Sequence, residues 1–391
     1  MNILISTDSF PPQIIGSSYA CYNLALGLAK KDHKVSVICP SDKYYSYQDK
    51  IDGILIFRIS SIPIPYIKNI RFSLFPLNIP KIIKNISPDI IHIQHPFFIG
   101  QKTLTYAKKF KIPIVTTNHL LPETFLMFIP KMGSSVISKI LNPSWKFVIK
   151  FCNKCNFVTA PTETAVELLK MHGLKVKYQA VSNGIDTDRF RPRGKNKNLI
   201  EKFHIPDLPI VLYTGRISEE KQIHTLIQAI PEILKKVNCH FVICGDGPVR
   251  AQLENMVLDL KIKDKVSFLG FLTEKDLPFI YNLADVYVMP SICELQSITT
   301  LEALASALPV VACNKYALKE LVLDGKNGFL FKPADTNDLS EKITKILLDE
   351  ELRERMKKES LKIVKKHSLE NTIKQYEEIY LNLINFKNYS T

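Results

Sequence analysis

Long apolar runs are missing from this 391-residue chain. Nowhere do 18 or more apolar residues follow one another without a charge, so no transmembrane helix is expected. The longest apolar region, 112–130, is broken by His119, Glu123 and three prolines. No basic stretch leads into an apolar one near Met1, so no signal peptide is expected either. Acidic residues are scarce in one half only. Residues 1–180 hold 22 Lys+Arg against 9 Asp+Glu, a net of +13 out of the whole chain's +14. Residues 181–391 hold 30 against 29. One half therefore suits an anionic partner. Helix-turn-helix, RRM, KH and zinc-finger signatures are absent, which argues against nucleic acid. Eight cysteines are present, but only Cys152 and Cys155 form a C-x-x-C, and no second pair follows at zinc-ribbon spacing. Buried, reduced thiols are the simpler expectation, with no metal site. A hydrophobic share of 46% and a charged share of 23% are those of a folded globular protein.

The length suggests two or three domains. Short apolar runs at 2–6, 35–39, 54–58, 90–93 and 112–116 predict buried strands, with helical patterns at 17–31, 80–85 and 101–110. The pattern restarts after a polar, basic, linker-like stretch at 191–198. Strands are then predicted at 210–214, 240–244, 266–269, 286–289 and 310–312. Helices are predicted between them at 223–236, 249–260, 274–283 and 299–305. Strands alternating with helices predict parallel α/β sheets, and the restart predicts two of them. Ligands of such sheets bind at the carboxyl ends of the strands.

The residues that follow the strands carry the chemistry. After 210–214 come Gly215, Arg216 and, five residues on, Lys221; two fixed cations there suit a diphosphate. After 240–244 comes Gly245-Asp246-Gly247-Pro248, a tight turn with close backbone approach. After 286–289 come Glu294 and, eight residues later, Glu302. A helix starting near Ser297 and Ile298 presents free N–H groups to an anion. The two carboxylates repel phosphate and so must address hydroxyls. In the first half, Phe10-Pro11-Pro12 leads to Gly16 just ahead of a helix. His95 and His119 follow two neighbouring strands.

Together and in this order, these pieces resemble the family-4 retaining glycosyltransferases of GT-B fold. The resemblance covers nearly the whole chain: Asp8 to Pro12 with Gly16, His119, Asn183-Gly184-Ile185-Asp186, Gly215-Arg216 with Lys221, Gly245 to Pro248, and Glu294 to Glu302. It implies two Rossmann-like domains facing across a cleft. The acceptor domain would be about 1–180, joined by a last helix near 371–385 that crosses back onto it. The donor domain would be about 181–370. Arg216 and Lys221 would neutralise the diphosphate of a nucleotide-sugar donor, Glu302 would bind its ribose and Glu294 would orient its sugar. His119 would reach that sugar, and Gly16 would let backbone approach the phosphates. The resemblance implies no metal and no cofactor beyond the donor substrate.

Two stretches, Val115 to Glu123 and Glu294-Leu295-Gln296-Ser297-Ile298 continuing to 317–322, look like the branch acting on glycerolipids: the 1,2-diacylglycerol glucosyltransferases and related lipid mannosyltransferases. The chain departs from the family pattern at Ser17, Ser297, Asp32 and Ala307, each standing where a glycine is usual. A lipid acceptor also fits residues 124–151. They carry Phe125, Phe128, Lys131, Lys139, Trp145, Lys146 and Lys150 and no acid, a mixture suited to an anionic membrane surface. Residues 61–84 repeat the style.

The expected activity is transfer of a hexose, from UDP-glucose, to a membrane glycerolipid such as diacylglycerol. The expected location is cytoplasmic, at the inner face of the cell membrane. The alternative is a GDP-mannose-dependent mannosyltransferase acting on phosphatidylinositol or a glycolipid. A nucleotide-sugar epimerase and a non-catalytic binding protein of the same fold stand behind these.

Overall fold

The computed structural model describes residues 1–13, 16–63, 71–124 and 134–388, with the side chains of 134–139 and of 388 outside the description. The chain divides into two units. One comprises Met1–Pro122, the described part of Lys131–Gly184, and the chain from Leu369 onward; the other is Ile185–Ser368 with Glu123 and Thr124.

The first unit is built on an eight-stranded sheet. Its elements in chain order are β1 (Asn2–Ser6), α1 (Gly16–Ala29), β2 (Lys34–Pro40), β3 (Tyr47–Ile51), β4 (Ile54–Ile59), the two-residue strands β5 (Ile62–Pro63) and β6 (Arg71–Phe72), α2 (Ile79–Ile86), β7 (Ile90–Ile93), α3 (Phe98–Lys109), β8 (Ile114–Thr117), α4 (Ser134–Cys152), β9 (Phe157–Ala160), α5 (Glu163–Met171) and β10 (Lys177–Ala180). The sheet order is β10-β9-β8-β7-β1-β2-β4-β3. Every pair is parallel except β3 with β4. Strands such as β1 and β7 are apolar almost without interruption because helices cover both faces. One apolar layer joins Leu24 and Leu28 of α1 to Ile373, Tyr376 and Tyr380 of the C-terminal helix (Leu369–Asn388). The other joins Leu4 and Ile91 to α2 and α3. The C-terminal helix is also pinned to the turn between α1 and β2 by Glu377, whose Oε1 lies 2.7 Å from His33 Nε2. It is longer than the expected 371–385.

Some predicted edges move for local reasons. The strand expected at 112–116 is Ile114–Thr117, because the Ile112 N–H bonds back to Ala107 and so finishes α3. The hairpin strand β3, with only half-buried and exposed positions, had no apolar signal to betray it.

The second unit contains α6 (Lys197–Phe203), β11 (Ile210–Thr214), α7 (Ile223–Leu234), β12 (His240–Cys244), α8 (Arg250–Asp259), β13 (Val266–Gly270), α9 (Leu277–Tyr281), β14 (Val286–Met289), α10 (Ile298–Ala305), β15 (Val310–Cys313), α11 (Leu318–Leu321), β16 (Gly328–Phe331), α12 (Thr336–Leu348) and α13 (Glu350–Val364). Its sheet is all parallel, in the order β13-β12-β11-β14-β15-β16. This is the doubly wound order 3-2-1-4-5-6, and the winding reverses between β11 and β14. In the first unit the corresponding reversal lies between β1 and β7. Helix α9 is shorter than the predicted 274–283 because Pro278 lies in its first turn and sets where it begins.

Two of the family departures fall on left-handed backbone. Asp32 has φ 61° and Ala307 φ 61°. Ala307 ends α10: its N–H bonds to Leu304, and that of Leu308 to Ala303. A glycine costs nothing in that conformation, whereas an alanine is strained.

Candidate functional site

In the second unit the residues singled out by sequence converge on the carboxyl ends of β11 and β14, at the winding reversal. Gly215 and Gly245 end the neighbouring strands β11 and β12. The Gly215 N–H donates to the Cys244 carbonyl at 3.0 Å. A Cβ on Gly245, whose φ is +130°, would stand 1.9 Å from the Gly215 carbonyl oxygen, so no larger residue fits. Arg216 emerges from this turn half-exposed, its Nη2 3.7 Å from Glu220 Oε1. Glu220 is buried and accepts from Ser218 Oγ at 2.5 Å. Its backbone carbonyl accepts from the Ile292 N–H at 3.1 Å and from Ser291 Oγ at 3.2 Å. That strap ties the loop after β14 to the turn bearing Lys221.

Lys221 and Glu294 meet on this strap, Nζ to Oε1 at 2.5 Å, with side chains 19% and 9% exposed. Burial on that scale makes the pair far stronger than a surface ion pair, and removing either partner strands the other. Ser297 caps α10: its Oγ accepts from the Thr300 N–H at 3.2 Å. The N–H groups of Ile298 and Thr299 have no hydrogen-bond partner among the described residues, so the helix start presents donors.

Glu302 lies in the second turn of α10 and accepts from Tyr281 OH at 2.5 Å. Burial pushes its carboxyl up to about 7, against the lowering effect of the Tyr281 hydrogen bond. Tyr281 OH also lies 2.5 Å from Thr214 Oγ1, and Tyr287 OH lies 2.8 Å from Thr299 Oγ1. Glu220, Tyr281, Tyr287 and Thr214 escaped the sequence analysis. The tyrosines sit inside apolar patterns and nothing local marks their hydroxyls.

In the first unit, Gly16 is the first residue of α1, and Ser17 follows it. Ser17 does more than replace a glycine: its Oγ lies 3.3 Å from Ser9 Oγ and 3.2 Å from His95 Nε2. His95 Nδ1 lies 3.0 Å from Thr7 Oγ1. Asp8 is buried and accepts from the N–H groups of Ile99 and Gly100, at 3.0 and 3.3 Å, at the start of α3. Burial raises its carboxyl to about 7. His119, just past β8, is half-buried, with Nε2 2.7 Å from Gln94 Oε1 and its ring 5.8 Å from that of His95. Burial lowers His119 to about 4 and His95 to about 3, so both rings are neutral near pH 7.

The lipid-facing expectation needs one correction. Trp145 is 2% exposed and stacks on His172 with ring centroids 4.1 Å apart, so it is a core residue of α4 and not an interfacial anchor. Helical spacing decides this: Trp145, Val148, Ile149 and Cys152 share the buried side of α4, while Lys146, Phe147 and Lys150 are exposed. Phe125, Phe128 and Lys131 lie outside the described residues, as does the side chain of Lys139. Of the second aromatic stretch, Tyr66 and Lys68 also lie outside them, whereas Phe75 is 77% exposed. No described helix is long and apolar enough to cross a membrane. Cys152 and Cys155 are free and buried, and burial raises both thiols.

Residues 14–189 match the Glycosyltransferase Family 4 family, and residues 195–363 match Glycosyl transferases group 1. The chain is 31% identical to the alpha-monoglucosyldiacylglycerol synthase of Streptococcus pneumoniae, over 100% of this chain and 87% of that protein. It is 27% identical to the alpha-monoglucosyldiacylglycerol synthase of Acholeplasma laidlawii, over 99% and 98%. Among solved structures, a sucrose-phosphate synthase from Thermosynechococcus elongatus superposes with a TM-score of 0.80 at 20% identity, over 98% of this chain and 99% of that one. Matched from end to end in this way, the chain belongs to the group 1 and family 4 glycosyltransferases and has their GT-B fold.

Proposed function

We propose that this glycosyltransferase moves a hexose, with retention, from UDP-glucose to a membrane glycerolipid such as diacylglycerol. The observation that carries the donor half is the buried Lys221–Glu294 pair beside Arg216 and the start of α10, all at the winding reversal of one sheet. The full-length likeness to two alpha-monoglucosyldiacylglycerol synthases carries the acceptor half.

The chemistry follows from charge. The bond between the sugar's anomeric carbon and the diphosphate oxygen breaks, and the diphosphate gains negative charge in the transition state. Arg216, Lys221 and the N–H groups of Ile298 and Thr299 are fixed donors already aimed, so they stabilise that charge without reorganising. Glu294, held by Lys221, accepts from hydroxyls of the sugar. Glu302, held by Tyr281, accepts from the ribose. The acceptor hydroxyl forms the new bond to the anomeric carbon on the face the diphosphate leaves, and its proton passes to the departing phosphate oxygen. His119, neutral at working pH, contacts the transferred sugar. No residue in this scheme requires a metal ion.

The first unit supplies the membrane side. Phe147 of α4 stacks on Phe97 at 6.2 Å, Phe72 packs on Phe97 and Phe98, and Lys146 and Lys150 flank Phe147 on the exposed side of α4. Aromatic side chains among bases suit an anionic lipid surface, each base contributing about 1 kcal/mol. The test is to supply labelled UDP-glucose and GDP-mannose separately, with diacylglycerol, phosphatidylinositol and glycolipid vesicles, and to chromatograph the products. Labelled glucosyldiacylglycerol is expected. Transfer from GDP-mannose alone overturns the donor, and donor conversion without any acceptor overturns transfer itself.

A further inference from the structure

Behind His119 runs a buried polar chain that none of the motifs predicts. Gln94, directly after β7, is 2% exposed. Its Oε1 meets His119 Nε2 at 2.7 Å. Its amide nitrogen lies 3.3 and 3.1 Å from the two ring nitrogens of His92. One nitrogen cannot lie in the ring plane in line with both ring nitrogens, so it rests against the ring, whose electron-rich face attracts N–H and repels a carbonyl oxygen. The amide is thereby oriented with its oxygen toward His119.

His92 is itself locked. It is fully buried, with Nδ1 2.6 Å from Tyr380 OH and Nε2 2.7 Å from Thr117 Oγ1. Thr117 Oγ1 in turn lies 2.6 Å from Thr159 Oγ1 and 3.0 Å from Tyr376 OH. Both tyrosines come from the C-terminal helix. An acceptor at Nε2 dictates that His119 carries its hydrogen there, and Nδ1 then holds the lone pair. Nδ1 has no hydrogen-bond partner among the described residues.

We propose that Gln94 is a positioning residue: it holds His119 as the Nε2–H tautomer in one ring orientation, leaving Nδ1 to accept from a hydroxyl of the bound sugar. Tyr380 and Tyr376 of the C-terminal helix are its support, acting through His92 and Thr117. This rests on the proposal that His119 contacts the transferred sugar. The arrangement gives the last helix of the chain a task beyond packing, since it sets the layer on which the Gln94 amide lies. Among the described residues, the titratable groups facing His119 are His92 and His95, both neutral through burial, with the tyrosine hydroxyls behind them.

Four variants and one spectrum test it. In the wild-type protein, 15N-histidine NMR, assigned with His119→Ala, is expected to show the Nε2–H tautomer for His119; the Nδ1–H tautomer overturns the proposal. Gln94→Leu is expected to lower kcat/KM for the sugar donor about tenfold or more, while affinity for the donor's nucleoside diphosphate stays within twofold. Gln94→Glu is expected to bring an acid limb into the kcat/KM profile between pH 5 and 8, because a carboxylate stabilises the His119 imidazolium. A Gln94→Glu profile superimposed on that of the wild type overturns the proposal even if Gln94→Leu does not fold. Tyr380→Phe is expected to lower kcat/KM by less than Gln94→Leu; a larger loss without loss of folding overturns the order of support. If His119→Ala transfers sugar normally, it is the role of His119 that fails. If His119→Ala is inactive and Gln94→Leu is fully active, only the role of Gln94 fails.

Discussion

At the strand ends of the first unit stand His92, His95, His119 and Gln94, the Gln94 amide linking His92 to His119 and hydroxyls holding His92 and His95. At those of the second stand Arg216, Lys221, Glu220, Glu294 and Glu302. The first set avoids the cost of buried charge by staying neutral: desolvation pushes its histidines far below their ordinary pKa. The second set keeps its charges and pairs them, Lys221 with Glu294 and Arg216 near Glu220. The difference follows from what each unit is proposed to hold. A diphosphate needs fixed cations, and half-buried cations need counter-charges while the donor is absent. A sugar hydroxyl needs only aimed lone pairs and N–H groups.

The largest expected effect breaks the charged side. Lys221→Ala is expected to lower transfer about 10³-fold, the order found for removing a transition-state donor, and Glu294→Ala comparably, because it removes the sugar's acceptor and strands the Lys221 charge. Folding, followed by circular dichroism, is expected to persist in both. Near-normal turnover of either variant would mean that the donor site lies elsewhere.

Acid breaks the neutral side. A buried histidine whose folded pKa lies below its unfolded value of 6.5 binds its proton more tightly when unfolded. Stability is therefore complete above about pH 6.5 and is lost as pH falls toward the folded values near 3. At pH 5 the loss is about 2 kcal/mol each for His92 and His95. Hydrogen exchange at pH 5 and pH 7.5 is expected to show the β1–β7–β8 region loosening on acidification. Equal protection at both pH values would contradict the buried, neutral state of these rings.

Glu302 is the exception that sharpens the contrast, a buried carboxyl whose desolvation outweighs the Tyr281 hydrogen bond and the pull of Arg189. Its folded pKa of about 7 is raised, so ionising it costs stability as pH rises from about 4.5 through 7. Glu302→Gln is expected to stabilise the protein at pH 8 relative to pH 5 by about 2–3 kcal/mol, while weakening donor binding. Thermal melts at the two pH values and donor titration check both halves of that outcome.

The smallest effect compares two left-handed residues, one in each unit. Ala307→Gly is expected to raise stability by up to about 1 kcal/mol, and Asp32→Gly by less, because aspartate tolerates that backbone better. Urea titrations of the two variants measure this directly.

Much of the candidate site in the second unit was legible because it is written in short, local pieces. Gly215, Arg216 and Lys221 follow one strand, and Glu294, Ser297 and Glu302 follow another, so strand prediction alone carried them to the same edge. The membrane-facing expectation was legible only as composition. Helical phase turned Trp145 inward while leaving Lys146 and Phe147 out. Tyr281, Tyr287, Glu220 and Gln94 were invisible because their roles depend on partners 12–73 residues away.

By itself the sequence determined the two α/β repeats, the concentration of +13 in residues 1–180, and the order of motifs that marks the family. Apolar runs, charge counts and turn residues are local properties, and they survive without a structure. Only the tertiary structure decided which polar atoms face one another. The pairing of Lys221 with Glu294, the tyrosine on Glu302, and the path from Tyr380 through His92 and Gln94 to His119 each join groups from different elements. Strand order and helix phase bring such groups within hydrogen-bonding distance, and no local pattern of residues encodes that distance.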